Sequence, residues 1–402
     1  MLNEPITSVS LKGKTVLLRV DINSNIQQGK PVVSARIKEH SMTIKLFSSK
    51  KAKTVVLAHQ GRKGQEDFIS LKGHLTELEK LVGKKFLFCS WEENFSEKIS
   101  SLTDGQILLM ENTRFLDFEE KDLTPEEHSK EKVIQELASV SDVFVLDALS
   151  VAHRSHASVV GFIPLLPSFA GPILEKEIIN LDKALNSKEK PRLLVLGGAK
   201  PLDSFKTLVF FLKENRADKA LVSGIFGELF LVASGIKFGK KDSFFESKGF
   251  LEAVPELKKL LDEFPEKIVL PEDLAVDENS RRINTDISSL PSDFISKDLG
   301  EKTIKNFSEE IMKAKLIVFN GPPGVFEEKI FSKGTKEILK AISESNAFTF
   351  LGGGDTETAL TSLGFSSKDF SFVSLSGKAS LNYLSGKKLV ALEALKNSTL
   401  SL

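Results

Sequence analysis

The feature that most limits how this chain can fold is an alternation between short apolar runs, four to six residues long, and longer amphipathic stretches. The runs fall at 15–20, 54–58, 106–110 and 143–147, and again at 192–196, 219–223, 267–270, 316–320, 348–351 and 370–375. The stretches at 71–82, 125–138, 204–214, 251–263 and 302–313 carry apolar residues at helical spacing. A strand covered by helices on both faces has no solvent side, so it reads as a continuous apolar run. Strand and helix in alternation predict an α/β fold with parallel sheets. Ligands of such sheets bind beyond the carboxyl ends of the strands, so functional residues are expected there.

The alternation is interrupted at 161–186. Pro164 and Pro167 open this segment, and the remainder reads as one helix through Glu175 and Glu177, with no strand. The expected architecture is therefore two doubly wound parallel-sheet domains joined by a hinge helix. The expected boundaries are 1–163 for an N-terminal domain, 164–186 for the hinge, 187–376 for a C-terminal domain and 377–402 for a tail returning to the N-terminal domain.

Composition removes several function classes. The formal net charge is zero, so no global field draws nucleic acid or an anionic membrane. No apolar run reaches the ~18 residues of a membrane span, and residues 1–10 lack the basic start and apolar block of a signal peptide. The single cysteine, Cys89, excludes an internal disulfide. A cytoplasmic location is expected.

Lys and Arg total 55, yet only nine are arginine. Five of the nine, Arg19, Arg36, Arg62, Arg114 and Arg154, lie in the first half, together with all six histidines. Arginine offers a planar fork matched to carboxylate and phosphate, which lysine does not. Arg19, Arg62, Arg114 and Arg154 end or directly follow expected strands, and Arg36 sits in a turn-like segment after the first. Loops after successive parallel strands converge on one sheet edge, so these side chains are expected to share a pocket for a polyanion, such as a phosphate plus a carboxylate. Asp21 and Asn23 would meet a ligand hydroxyl. His153 and His156 lack a third ligand at zinc spacing, which favours a structural or substrate-contact role.

The second half holds three glycine turns, each following a strand. Gly197-Gly198-Ala199-Lys200 precedes a helix able to start at Pro201, where backbone amides and Lys200 would favour an anion. Asn320-Gly321-Pro322-Pro323-Gly324-Val325-Phe326-Glu327 forms a rigid loop fit to wall a flat base, with Glu327 an acceptor for ribose hydroxyls. Gly352-Gly353-Gly354-Asp355-Thr356 again opens a helix. Asp355 there is an N-cap by default, or a carboxylate for magnesium beside a triphosphate. Neither G-x-x-x-x-G-K-[ST] nor G-x-G-x-x-G occurs.

Together with Arg19-Val20-Asp21-Ile22-Asn23, His59-Gln60-Gly61-Arg62 and Ala152-His153-Arg154, these blocks resemble the phosphoglycerate kinase family, in order along nearly the whole chain. The resemblance implies reversible transfer of the acyl phosphate of 1,3-bisphosphoglycerate to ADP, giving 3-phosphoglycerate and ATP, with magnesium and after domain closure. It implies a substrate side of Asp21, Asn23, Arg36, His59, Gln60, Gly61, Arg62, Arg114 and Arg154. It implies a nucleotide side of Gly198, Lys200, Asn320, Pro322, Val325, Glu327, Gly353, Gly354, Asp355 and Thr356, with Asp355 toward the metal. Arg36 and Lys200 are expected to face the transferring phosphoryl. No nucleic-acid or membrane partner is expected, and the oligomeric state expected is a monomer, with a homodimer as the alternative. The chain departs from the family pattern at Ser204, where a second lysine is usual, and at Ser376 and Lys378 within a glycine triplet. A lysine at 378 would restore the charge lost at 204. These departures keep open a non-catalytic relative binding nucleotide or a phosphorylated acid; a third reading is a kinase of the same fold acting on another acyl phosphate, against which the full arginine set argues for glycerate.

Overall fold

A computed structural model describes residues 5–400. The chain divides into two compact units, one of residues 1–179 with 388–402 and one of 180–387.

The first unit is built on a six-stranded sheet in the order Phe86–Cys89, Ile107–Met110, Lys53–Leu57, Thr15–Arg19, Val143–Leu146, Ser168–Ala170, with every pair parallel. The central strand, Thr15–Arg19, is buried throughout, as expected where its apolar centre Val16-Leu17-Leu18 is covered on both faces. The chain leaves this strand toward one side of the sheet and later returns to the other. The crevice where the order reverses therefore lies between the ends of Thr15–Arg19 and Val143–Leu146.

Three local readings are corrected here. Segment 161–186 does contain a strand, Ser168–Ala170. Three residues between Pro167 and Gly171 at a sheet edge are too few to show any periodicity. Arg36 lies in the first turn of the helix Ala35–Ser49, not in a turn-like segment, and Ser34 Oγ caps that helix by accepting from Ile37 N at 3.3 Å. The stretch 125–138 is two helices, Pro125–His128 and Lys132–Ser139.

The helix Pro172–Asn186 starts against the first sheet. Asp147, just past the strand Val143–Leu146, accepts from Ile173 N at 2.7 Å and Leu174 N at 3.2 Å, satisfying amides that a helix start leaves open. The boundary between the units falls within this helix, after Ile179. The helix Val390–Asn397 buries Ala391, Leu392 and Leu395 against Ala157–Val160 and Ser168–Ala170 of the first unit, and Ala391 N donates to Ala152 O at 3.1 Å. The segment from 377 thus divides: Lys378–Leu384 packs on Pro201–Lys213 within the second unit, and only residues from 388 belong to the first.

The second unit repeats the plan. Its parallel sheet runs Ile268–Val269, Lys219–Val222, Arg192–Leu196, Leu316–Asn320, Phe348–Gly352, Phe372–Val373, and its order reverses between Arg192–Leu196 and Leu316–Asn320. A three-stranded antiparallel sheet, ordered Arg281–Asp286, Asp273–Glu278, Ile295–Leu299, is added to it. This sheet is absent from the sequence reading because Arg281–Asp286, Arg-Arg-Ile-Asn-Thr-Asp, is largely exposed and has no apolar run.

Candidate functional site

In the first unit the loops at the carboxyl ends of the strands enclose a cleft of about 720 Å³ lined by Asn23, His59, Gly61, Arg62, Arg114 and Arg154, with 64–67 closing one side. Three guanidiniums therefore meet in one place. Burial, and after it the charges of Arg114 and Arg62, pull the pKa of Arg154 down. Cations pressed together in this way are relieved by an anion. Gly61 is required where it stands: its φ is +67°, and a Cβ there would come within 2.2 Å of Asp67 O. Its amide donates to Asn23 Oδ1 at 2.9 Å and its carbonyl accepts from Arg114 Nη1, so the turn sets the position of both side chains.

His59 enters the cleft as a neutral donor. Burial, and next the charge of Arg19, push its pKa well below the ordinary value. Its Nδ1 lies 3.1 Å from Arg19 Nη2. Arginine only donates, so Nδ1 accepts and the proton sits on Nε2.

Arg36 and Asp21 lie outside the residues lining the cleft and form a pair, with Arg36 Nε 3.4 Å from Asp21 Oδ2. Burial pushes the Asp21 carboxyl up, but the Arg36 charge and the Ser150 hydroxyl, among others, outweigh it and hold the group well below the carboxylate range.

Two members of the expected constellation are turned inward. Arg19 is 1% exposed, and its guanidinium donates to Ser158 Oγ at 2.9 Å and to Val20 O besides His59. It is a structural group, not a cleft arginine. Gln60 is fully buried, its Oε1 accepting from Ser24 N at 3.1 Å and its Nε2 donating to Ser24 O and Asp67 O at 2.9 and 3.2 Å. The side chain holds the loop through Ser24 and Asp67 and is not among the residues lining the cleft.

In the second unit the turns after Arg192–Leu196 and Leu316–Asn320 touch at the sheet reversal. Gly197 N donates to Asn320 O at 2.9 Å and Gly198 N to Pro322 O at 3.0 Å. Glycine is needed at 321, where φ is +84° and a Cβ would approach Gly197 O to 2.6 Å. Gly198, Pro322, Val325, Glu327 and Asp355 line a pocket of about 260 Å³ beside these turns.

Lys200, Asn320, Gly353, Gly354 and Thr356 are not among the residues lining that pocket. Asn320 lies against Gly353, and Thr356 Oγ1 accepts from Gly321 N at 3.2 Å, so these residues brace the turns. Lys200 Nζ pairs with Asp355 Oδ2 at 2.9 Å in an exposed, weakly held ion pair. Gly353, not Asp355, is the N-cap of Gly354–Ser362. Neither that helix nor Pro201–Lys213 has a side-chain cap, which leaves their first amides for an anion.

Ser204, where the family pattern has lysine, is buried and donates to Gly197 O at 3.2 Å, anchoring the glycine turn. Ser376 is buried, and Lys378 is exposed at the first position of its helix. The pocket also contains groups the sequence reading missed: Glu228, Lys241, Leu274, Lys297, Asp298 and Leu299. Leu274, Lys297, Asp298 and Leu299 come from the missed antiparallel sheet, whereas Glu228 lies on the helix Gly224–Ala233 and Lys241 is the N-cap of the helix Asp242–Ser247.

Two doubly wound sheets, with a cationic cleft at the strand ends of one and uncapped helix starts at the strand ends of the other, form the framework of a two-domain α/β phosphotransferase. The phosphoglycerate kinase family model matches residues 6–387. Among curated relatives, "Phosphoglycerate kinase" of Methanosarcina mazei is 39% identical over 396 residues, covering 97% of this chain and 94% of the relative. That of Methanobacterium bryantii is 40% identical over 395 residues, covering 97% and 96%. The crystal structure of phosphoglycerate kinase from Pyrococcus horikoshii OT3 superposes with a TM-score of 0.90 at 36% identity, covering 98% of both chains. The chain belongs to the phosphoglycerate kinase family.

Proposed function

We propose that the protein catalyses the reversible transfer of the acyl phosphate of 1,3-bisphosphoglycerate to ADP, giving 3-phosphoglycerate and ATP. The observation that carries this reading is the convergence of Arg62, Arg114 and Arg154 with the neutral donor His59 on one cleft, in a chain of this family. Three forks suit the phosphate that stays on the glycerate throughout the reaction. Asn23, whose Oδ1 is taken by Gly61 N, keeps its amide hydrogens for a ligand oxygen.

The nucleotide is assigned to the second unit. The helix starts at Pro201 and Gly354 receive its phosphates, and the pocket walled by Pro322 and Val325 receives its base and ribose, with Glu327 toward the sugar. Lys200 exchanges its weak contact with Asp355 for a phosphate oxygen. Asp355, released, would hold magnesium. A single carboxylate fits an ion that keeps its waters and phosphate ligands, and among the described residues no group of three or more His, Cys, Asp or Glu forms a cage for a metal. When bound, the ion offsets charge on the phosphates.

No covalent intermediate is required. The transferring group is metaphosphate-like, so positioning and charge do the work, with Arg36 and Lys200 as its two cations. Direct transfer requires donor and acceptor to meet, so turnover depends on domain closure, which also expels water. A cytoplasmic monomer is the proposed working form; no helix among the described residues is long and apolar enough to cross a membrane.

The direct test is purified protein with ATP, magnesium and 3-phosphoglycerate, read through a coupled assay for 1,3-bisphosphoglycerate. Turnover is expected, and its absence in folded protein overturns the reading. Arg62→Ala and Arg154→Ala are each expected to raise KM for 3-phosphoglycerate about 10–100-fold while kcat stays within a few-fold, as for a contact made equally in ground and transition states. Unchanged KM in both variants would move the phosphate out of this cleft.

A further inference from the structure

Two side chains of the helix Ala35–Ser49 face one loop. Arg36 and His40 are four residues apart, about one turn, and so lie on the same side of the helix. The loop after the strand Val143–Leu146 meets that side twice. Ser150 Oγ donates to Asp21 Oδ2, the oxygen that Arg36 Nε approaches at 3.4 Å. One turn further on, Asp147 Oδ2 lies 3.6 Å from His40 Nδ1.

The second contact is incomplete. Both side chains are buried, with exposures of 4% for His40 and 0% for Asp147. At 3.6 Å the two atoms are beyond hydrogen-bond distance, and among the described residues neither has a hydrogen-bond partner. A buried polar atom left unpaired is costly. Both costs vanish together if helix and loop approach by about 0.6 Å. The loop side of the contact is fixed. Asp147 N donates to Arg19 O at 2.9 Å. Its Oδ1 accepts from Ile173 N and Leu174 N at the start of Pro172–Asn186. A Cβ at Gly171 would come within 2.4 Å of that oxygen, so the chain packs directly against the carboxylate. The side left to adjust is the helix that carries His40 and Arg36.

We propose that His40 is a positioning residue for Arg36: in the working enzyme its Nδ1 donates to Asp147 Oδ2, and that bond sets the helix and the guanidinium one turn away. The proton belongs on Nδ1 because a carboxylate only accepts. Hydrogen bonds of a working site are often long in free enzymes and tighten with substrate bound. A misplacement of about 1 Å at a group acting on the reacting atoms costs up to about 100-fold in rate. The inference rests on the transition-state role given to Arg36 above.

The test measures kcat and KM with 3-phosphoglycerate, ATP and magnesium for H40L, H40N, R36A and R36A/H40L. Leucine removes the donor, whereas asparagine places an amide N–H where histidine carries Nδ1. H40L is expected to lower kcat about 10–100-fold with both KM values within a few-fold. H40N is expected to restore kcat to within about threefold of wild type. In the R36A background, H40L is expected to change kcat by less than about twofold, because His40 acts through the guanidinium. A residue that serves stability alone would leave kcat of the folded protein unchanged, or lower it by one factor in both backgrounds, and either result overturns the proposal. H40N as slow as H40L overturns it too. If R36A alone keeps kcat within about tenfold of wild type, the reading of Arg36 has failed and the role of His40 falls with it. If H40L fails to fold, H40Q, whose amide lies beyond the Nδ1 position, is expected to show the same loss. Nitrogen-15 shifts of the wild-type imidazole give a reading independent of turnover. With 3-phosphoglycerate added, Nδ1 is expected to carry a proton, and a ring protonated only on Nε2 overturns the proposal.

Discussion

Arg36→Ala is expected to lower kcat by about 10³-fold while leaving KM for 3-phosphoglycerate within a few-fold. In the reaction proposed above, the three cleft arginines hold a phosphate that does not move, so their contacts would persist from ground state to product. Arg36 is placed differently: it occupies the first turn of Ala35–Ser49 and is tethered to Asp21 at 3.4 Å. A guanidinium held by a buried carboxylate is preorganised, and such a cation acts on charge that spreads over the transferring oxygens. Losing it should cost rate, not binding. Arg36→Lys keeps the charge but not the fork, and is expected to recover only part of the loss. Because Asp21 loses its main counter-charge in Arg36→Ala, thermal unfolding is measured on the same samples to separate rate from stability. A kcat within tenfold of wild type would move the transition-state role elsewhere.

Arg19→Met is expected to destabilise the first unit by about 3–5 kcal/mol, the range seen when one partner of a buried charge pair is removed. Arg19 shares its surroundings with Glu119, also buried, whose oxygens accept from Ser158 N at 2.8 Å and Ser158 Oγ at 2.6 Å. Burial already raises the Glu119 pKa, and the Arg19 charge is the main opposing influence. Without Arg19 the folded-state pKa of Glu119 rises further above its unfolded value. A group raised in the folded state contributes stability that is present below its unfolded pKa and lost as pH rises through the folded one. The deficit of Arg19→Met should therefore be small near pH 4.5 and grow toward pH 8 in urea titrations. A deficit independent of pH would show that packing, not charge, dominates. Arg62→Met, at an exposed position of the same cleft, is the control expected to change stability little.

Arg19 and Arg62 also mark what the sequence could and could not reveal. Arg19 ends one strand and Arg62 follows another, so both predict a side chain at a strand end. Which of them faces a ligand depends on Ser158 and His59, which come from distant parts of the chain and meet Arg19 only after folding. The surroundings of Gln60 were hidden in the same way, since Ser24 and Asp67 claim both ends of its amide. The parallel sheets were legible because strands buried on two faces leave unbroken apolar runs. The antiparallel sheet was not, because Arg281–Asp286 faces solvent, and with it went Leu274, Lys297 and Asp298. Glycine turns were the most readable part of the site. Gly197 and Gly321 are where two backbones press together, and there the residue type itself is the constraint.

The helix Val390–Asn397 gives the first unit an unusual history. It covers Ala157–Val160 and the edge strand Ser168–Ala170, yet it is made after all of residues 180–387. On a ribosome adding about 5–20 residues/s, the six-stranded sheet waits roughly 10–40 s for this cover. During that interval the surface that will hold Ala391, Leu392 and Leu395 lies open on an otherwise finished domain, a target for chaperones or for another nascent chain. A stop codon placed just after the second unit would spare every residue of the arginine cleft and every glycine turn. It would still deliver a first domain that never closes its own core.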